Sequence, residues 1–117
     1  MHKKTAKEMW DTLENIHEGN KKVKAAKLQV YRAQFENLKM NVDEDIDSFF
    51  LRVVEIVSNM KALGETIPEC VIVQNILRSL PSSFNPKVSA IEEIANWETL
   101  TMNQLLGNLT AYEMRLP

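Results

Sequence analysis

The stretch DEDIDSFFLRVVEIVSNMKALG at residues 43–64, with ETIPEC at 65–70 and VIVQNILRSLP at 71–81, decides the fold. At about 100° per residue, Ile46, Phe49, Phe50, Val53, Val57 and Met60 fall within an arc of roughly 120°, which predicts a helix with one buried face. Val54 and Ile56 widen the arc at its edges. Leu51 points the other way and reads as a surface or interface contact. Asp43 is placed to cap this helix, and Glu44, Asp45 and Asp47 put negative charge in its first turn, where the helix dipole favours it. Gly64 ends it. Thr66 and Glu69 have the spacing of a capping box around Pro68, so a second helix follows, burying Cys70, Val73, Ile76, Leu77 and Leu80 until Pro81 stops it.

Working outward, the same two signals, apolar period and cap, recur on both sides. Towards the N-terminus, Thr5 and Glu8 make a capping box, and Ala6, Met9, Trp10, Leu13 and Ile16 form a helical stripe that Gly19-Asn20 is expected to end. A separate helix is expected from about Lys22 to Lys39. Its main face is Leu28, Tyr31, Phe35 and Leu38, and Val23, Ala26, Val30 and Ala33 form a second, offset stripe. A helix apolar on two sides calls for two partners, unless the alanines serve only as helix formers and Val23 and Val30 are ordinary exposures. Towards the C-terminus, Ser82 to Asn85 turn the chain, and Asn85-Pro86 opens a helix carrying Val88, Ile91 and Ala95, with Phe84 packed at its start. Trp97 reads as a plug for the end of the core. Thr101 and Gln104 form a last capping box, Leu100 and Leu105 a hydrophobic staple, and Met102, Leu105, Leu106, Leu109, Tyr112 and Leu116 the closing helix. Gly107 inside it suggests a close helix–helix contact. No β-alternation occurs. The expected fold is all-α, with six helices and short loops.

Composition bounds what such a bundle does. The 117 residues are 44% hydrophobic and 26% charged, the balance of a globular protein with an ordinary core. The net charge of −2 argues against bulk nucleic-acid binding. It hides an asymmetry: residues 1–39 carry nine Lys/Arg and five Asp/Glu, residues 40–117 five and eleven. The bland explanation is two solvated surfaces; the sharper one is a dipolar module that docks on copies of itself. Lys21, Lys22, Lys24 and Lys27 cluster where a helix start would disfavour them, so they read as a solvated face or a weak contact to phosphate or an acidic partner. Cys70 is the only cysteine, so no intrachain disulfide exists and a reducing compartment is indicated. No apolar run approaches the ~20 residues of a membrane span. The opening MHKKTAKEMW, without a signal-peptide pattern, reads as a cut into a longer protein.

No chemistry stands out. There is no phosphate-cradling glycine loop, no His/Cys cluster at metal spacing and no nucleophile elbow. The acidic run at 43–47 lacks the glycine and terminal glutamate of a calcium loop. His17 near the apolar stripe reads as a packed or edge histidine, and Cys70 as a small hydrophobe rather than a nucleophile. No cofactor is expected. What remains is a helical module with spare apolar surface.

From TAKEMWDTLE through KLQVYRAQFENLKM to VIVQNILRSLPSSF and LTAYEMRL, the chain resembles the Gag polypeptide of copia-type LTR retrotransposons, most of all plant copies. The resemblance covers nearly all of residues 5–116. It implies a capsid-like, non-enzymatic segment that assembles into virus-like particles. By that analogy residues 1–41 are the closing two helices of a first lobe and residues 42–117 a C-terminal lobe. Glu44, Ile46, Phe49, Arg52 and Val53 fall on the pattern of the retroviral major homology region, in which a glutamate and an arginine tie a turn to a helix. Met40 and Asn41 stand where that region opens with glutamine and glycine. The zinc knuckle of many Gag proteins is missing from these residues, so element RNA would be met through other parts of Gag, with Lys21, Lys22, Lys24 and Lys27 as auxiliary contacts. The implied partner is the chain itself, as a dimer, a swapped dimer or a higher assembly, through Val23, Val30 and Leu51. The implied setting is cytoplasmic particles, with a nuclear location left open and no membrane. A captured Gag serving as a protein-binding adaptor is the alternative reading.

Overall fold

The computed structural model describes residues 5–94, 96 and 99–117. Among these residues the fold is all-helical: α1 (Ala6–Glu36), α2 (Ile46–Ala62), α3 (Glu69–Ser79), a 3₁₀ turn (Ser82–Phe84), α4 (Asn85–Glu92) and α5 (Met102–Glu113). The helices are five rather than six because the two expected before residue 40 are one, 31 residues long. Gly19 adopts helical geometry there, with no left-handed turn. A lone glycine costs a helix only about 1 kcal/mol relative to alanine, too little to stop a chain of good helix formers on both sides. The merger also removes the puzzle of Lys21, Lys22, Lys24 and Lys27. They lie mid-helix, away from the dipole's positive end.

The core is a single cluster. Ile46, Phe49, Phe50, Val53 and Met60 of α2, Ile72, Val73, Ile76 and Leu77 of α3, Phe84, Ile91, and Leu105 and Leu109 of α5 are buried together. Only the end of α1 joins them, through Phe35, with Leu38 and Met40 just beyond it and Leu28 and Tyr31 at the margin. From Ala6 to Lys27 every residue of α1 is exposed. That segment therefore leaves the body as a free rod, about 33 Å long at 1.5 Å per residue. The molecule measures 74 × 31 × 18 Å as a result.

The expected capping boxes Thr5/Glu8 and Thr101/Gln104 are both formed. Gly64 closes α2 with φ +97°; its N–H donates to Lys61 O and that of Glu65 to Met60 O, the paired bonds of a Schellman end. Asn85-Pro86 opens α4, and Leu80 takes extended backbone before Pro81.

Several sequence expectations need correction. Asp45, not Asp43, caps α2, accepting from Ser48 N at 2.8 Å, because Glu44 is drawn away to an arginine and residues 42–43 form a turn. Thr66 and Glu69 form no capping box: α3 starts without a side-chain cap, and the Glu69 carboxylate instead accepts from Met102 N at the start of α5. Cys70 is exposed. It lies about 120° around α3 from Ile76, the centre of the buried arc, which Ile72 helps to fill. Gly107 meets no other element, since a Cβ there would find nothing within 4 Å. Leu116 packs on the core from a turn beyond the end of α5. The expectations for Ala95 and Trp97 lie outside the described residues.

Two glycine substitutions should move in opposite directions. Gly19→Ala should raise helicity, with a local gain of about 0.5–1 kcal/mol, because the position is helical and open. Gly64→Ala should lower the melting temperature, because φ +97° strains any side chain. Circular dichroism at 222 nm with thermal melts reads both; loss of helicity in Gly19→Ala would contradict a continuous α1.

Candidate self-association surfaces

The turn between α1 and α2 sets where α1 points, and Arg52 holds that turn. Its guanidinium donates through Nε to Glu44 Oε2 at 2.7 Å, and through Nη2 to Glu44 Oε1 at 2.8 Å and to Lys39 O at 2.8 Å. Glu44 Oε1 also accepts from Asn41 N at 3.1 Å. One side chain on α2 thus fastens both ends of the turn, in the two-toothed geometry that arginine supplies and lysine lacks. The guanidinium also lies 5.5 Å over the ring of Phe49. Ile46, Phe49 and Val53 lie fully buried beneath it.

Other polar contacts complete the fastening. Met40 N donates to Ser79 O at 2.9 Å, joining the turn to the end of α3. Buried Asn75 donates through Nδ2 to Phe35 O, satisfying one of the carbonyls that a helix end leaves unpaired. Arg32 of α1 donates to Glu65 beyond α2 at 2.7 Å. Glu113 at the end of α5 accepts from Ile46 N at 2.9 Å, so the first turn of α2 is capped by the far end of the chain. Of these residues only Arg52 and Glu44 stood out in the sequence. Asn75 and Glu113 carry no local signal, and the spacing of Glu69 from Thr66 points to a capping box that does not form.

The hydrogen bonds from Arg52 hold the Glu44 carboxyl below the usual glutamate range, helped by the Asn41 N–H. The Asp45 carboxyl is lowered likewise by its bonds to Ser48.

Two apolar surfaces are left uncovered. The first runs along α1. Met9, Trp10, Leu13 and Ile16 are more than half exposed, and Val23 and Val30 continue the exposure at 53% and 56%. The second is a groove of about 380 Å³ between α2 and α5, lined by Asp47, Phe50, Leu51, Val54, Met102, Asn103 and Leu106. Leu51, which did not fit the α2 stripe, stands 69% exposed on its wall. That Met102 and Leu106 face it is set by how α5 packs on α2, not by any local signal. The two surfaces lie on different elements, one on the rod and one on the body.

The four lysines do not converge on one face. Lys21, Lys24 and Lys27 border a shallow recess with His17, Asn20 and Val23, whereas Lys22 is turned away from it. Among the described residues no three His, Cys, Asp or Glu side chains group as a metal site would require. Among them no helix is long and apolar enough to cross a membrane.

The model of one protein family, described as gag-polypeptide of LTR copia-type, matches residues 1–117. The chain belongs to that family. Its place is therefore that of a Gag-type structural polypeptide. No curated protein matches the chain, and no solved structure matches it.

Removing the Arg52 fork should loosen this Gag chain where α1 meets the body. Arg52→Met should cost about 1–2 kcal/mol; the low end of the range for charged hydrogen bonds applies because the side chain is 41% exposed. Because the Glu44 pKa is depressed on folding, its contribution is present above the unfolded value and lost as pH falls through the folded one. Urea titrations of the native chain should thus show falling stability as pH drops below the ordinary carboxylate range. Glu44→Gln should flatten that part of the profile. An unchanged slope in Glu44→Gln would contradict the assignment.

Proposed function

We propose that this chain is the self-association domain of a retrotransposon Gag, building a capsid-like particle. The observation that carries the reading is the pair of separate uncovered apolar surfaces. A chain with one such surface makes closed pairs. A chain with two, placed on different elements, links to two neighbours and extends into a ring, tube or shell. Contiguous apolar surface that a monomer leaves open is the usual mark of a partner site. Membership of the copia-type Gag family supports the same direction.

On this reading residues 42–117 act as the C-terminal lobe of a capsid protein and residues 1–41 as the end of a first lobe. Glu44, Ile46, Phe49, Arg52 and Val53 serve as its homology-region motif. The arginine fork then has a role in assembly as well as stability, because it holds the angle at which α1 leaves the body. Leu51, with Phe50 and Val54, forms one contact; Val23 and Val30, with the apolar residues before them, form the other. The particles would be intracellular, with element RNA met mainly through other parts of Gag.

Sedimentation velocity across a concentration series, with electron microscopy of the concentrated sample, tests this. The native chain should grow beyond a dimer as concentration rises. Leu51→Asp should stop growth at small oligomers with helicity unchanged, because it charges the groove and leaves α1 alone. A native chain that stays monomeric throughout, yet captures one heterologous protein, would favour the adaptor reading instead.

A further inference from the structure

Two apolar sets on α1 mirror each other about Gly19 and Asn20. Ala6, Met9, Leu13 and Ile16 follow one another at spacings of three, four and three, and Val23, Ala26, Val30 and Ala33 repeat those spacings beyond the pair. At about 100° per residue each set lies within an arc of roughly 80°, and the centres of the two arcs are about 100° apart on the straight helix. A straight neighbour facing one set misses much of the other. All eight residues are exposed. Turned back on itself at residues 19–20, the helix would set Ile16 beside Val23, Leu13 beside Ala26, Met9 beside Val30 and Ala6 beside Ala33. The receiving set is open to this, because it lies about 150° around α1 from Leu28, Tyr31 and Phe35, the residues that pack on the body.

The pair at the centre has the chemistry of one helix ending and another beginning. Glycine is the usual residue in the left-handed position after a helix, and asparagine is among the best in the position before one. In the rod Gly19 has no packing reason to be glycine, since a Cβ there would meet nothing within 4 Å. A two-residue connection is long enough for an antiparallel helical hairpin. The two conformers draw on opposing terms. Closure takes Met9, Leu13 and Ile16 out of water. The break gives up the hydrogen bonds of one turn, and it puts Lys21, Lys22 and Lys24 near the positive end of the second helix's dipole, which the rod avoids.

We infer that α1 is a two-state element: a rod, and a hairpin closed at Gly19–Asn20 in which residues 6–18 cover the Val23–Ala33 face of the same chain. The rod presents its apolar residues to neighbours and the hairpin hides them, so closure holds the chain back from assembly. That role rests on the self-association reading above; the closure itself does not.

Spin labels on Lys7→Cys and Gln29→Cys, in a Cys70→Ser background, report the closure. Both positions are exposed and lie outside the two apolar sets. The labelled chain is diluted into excess unlabelled chain, so that only distances within one chain contribute. In the rod the labels lie about 33 Å apart at 1.5 Å per residue; in the hairpin they lie within ~20 Å. The expected distribution contains both. Gly19→Ala with Asn20→Ala favours the rod and should cut the short component at least about fivefold. Val30→Asp, which charges the receiving face, should lower it as well. Labels found only near 33 Å, or a short component unmoved by the changes at Gly19 and Asn20, would overturn the inference. So would a short component that vanishes on dilution, since the contact would then lie between chains. A chain that closes but stays monomeric at every concentration, even when locked as a rod, would leave the closure standing and overturn its role in assembly.

Discussion

The Arg52–Glu44 fork is the contact on which the arrangement depends. Leu38 and Met40 anchor residues 37–45 in the core, and the fork ties the polar side of the same turn to α2. Lys39 O and Glu44 accept directly from one guanidinium at the edge of the buried face of α2, and Asn41 N joins them through Glu44. Met40 N and Asn75 add two ties to α3. The angle between rod and body is then a property of the fold. Any assembly that uses both rod and body inherits its curvature from that angle.

A free rod also has to be accounted for energetically. Isolated helices shorter than about 12–15 residues are marginal in water, and longer ones depend on packing for most of their stability. From Ala6 to Lys27 every residue of α1 is exposed, the segment holds a glycine, and Trp10, Leu13 and Ile16 stand open. A surface of this kind costs solubility and gives nothing back in the monomer. Coverage by a second copy removes the apolar stripe from water. The α2/α5 groove is a separate matter, because its walls belong to the well-packed body and keep their shape whether or not anything fills it.

Much of this was legible in the sequence, and the failures share a cause. The α2 stripe, the two formed capping boxes, the Gly64 stop and the Pro81 stop are local signals, and local physics decided them. The Glu44–Arg52 pairing was reached through resemblance to a motif and stands in the geometry. Gly19 was misread because a glycine is a weak stop, overruled by the helix formers around it. Cys70 was misplaced because a stripe drawn from its own end of α3 missed Ile72, which moves the buried arc. Glu113 carries no local signal, and the local signal of Glu69, a capping box with Thr66, is overruled by a distant partner. Each caps a helix start far along the chain, 33 and 67 residues away, and an unpaired N–H does not record in sequence which carboxylate will reach it.

If other copies of the chain cover what the monomer leaves open, hydrogen–deuterium exchange at two concentrations, one below and one above the onset of association, will show it. Amides along α1 between residues 9 and 27 should slow at the higher concentration, while those around Ile76 and Val53, already buried in each chain, stay unchanged. Equal exchange along α1 at both concentrations, in a sample whose mass has risen, would show that the chain assembles with its rod uncovered and that α1 is not an interface.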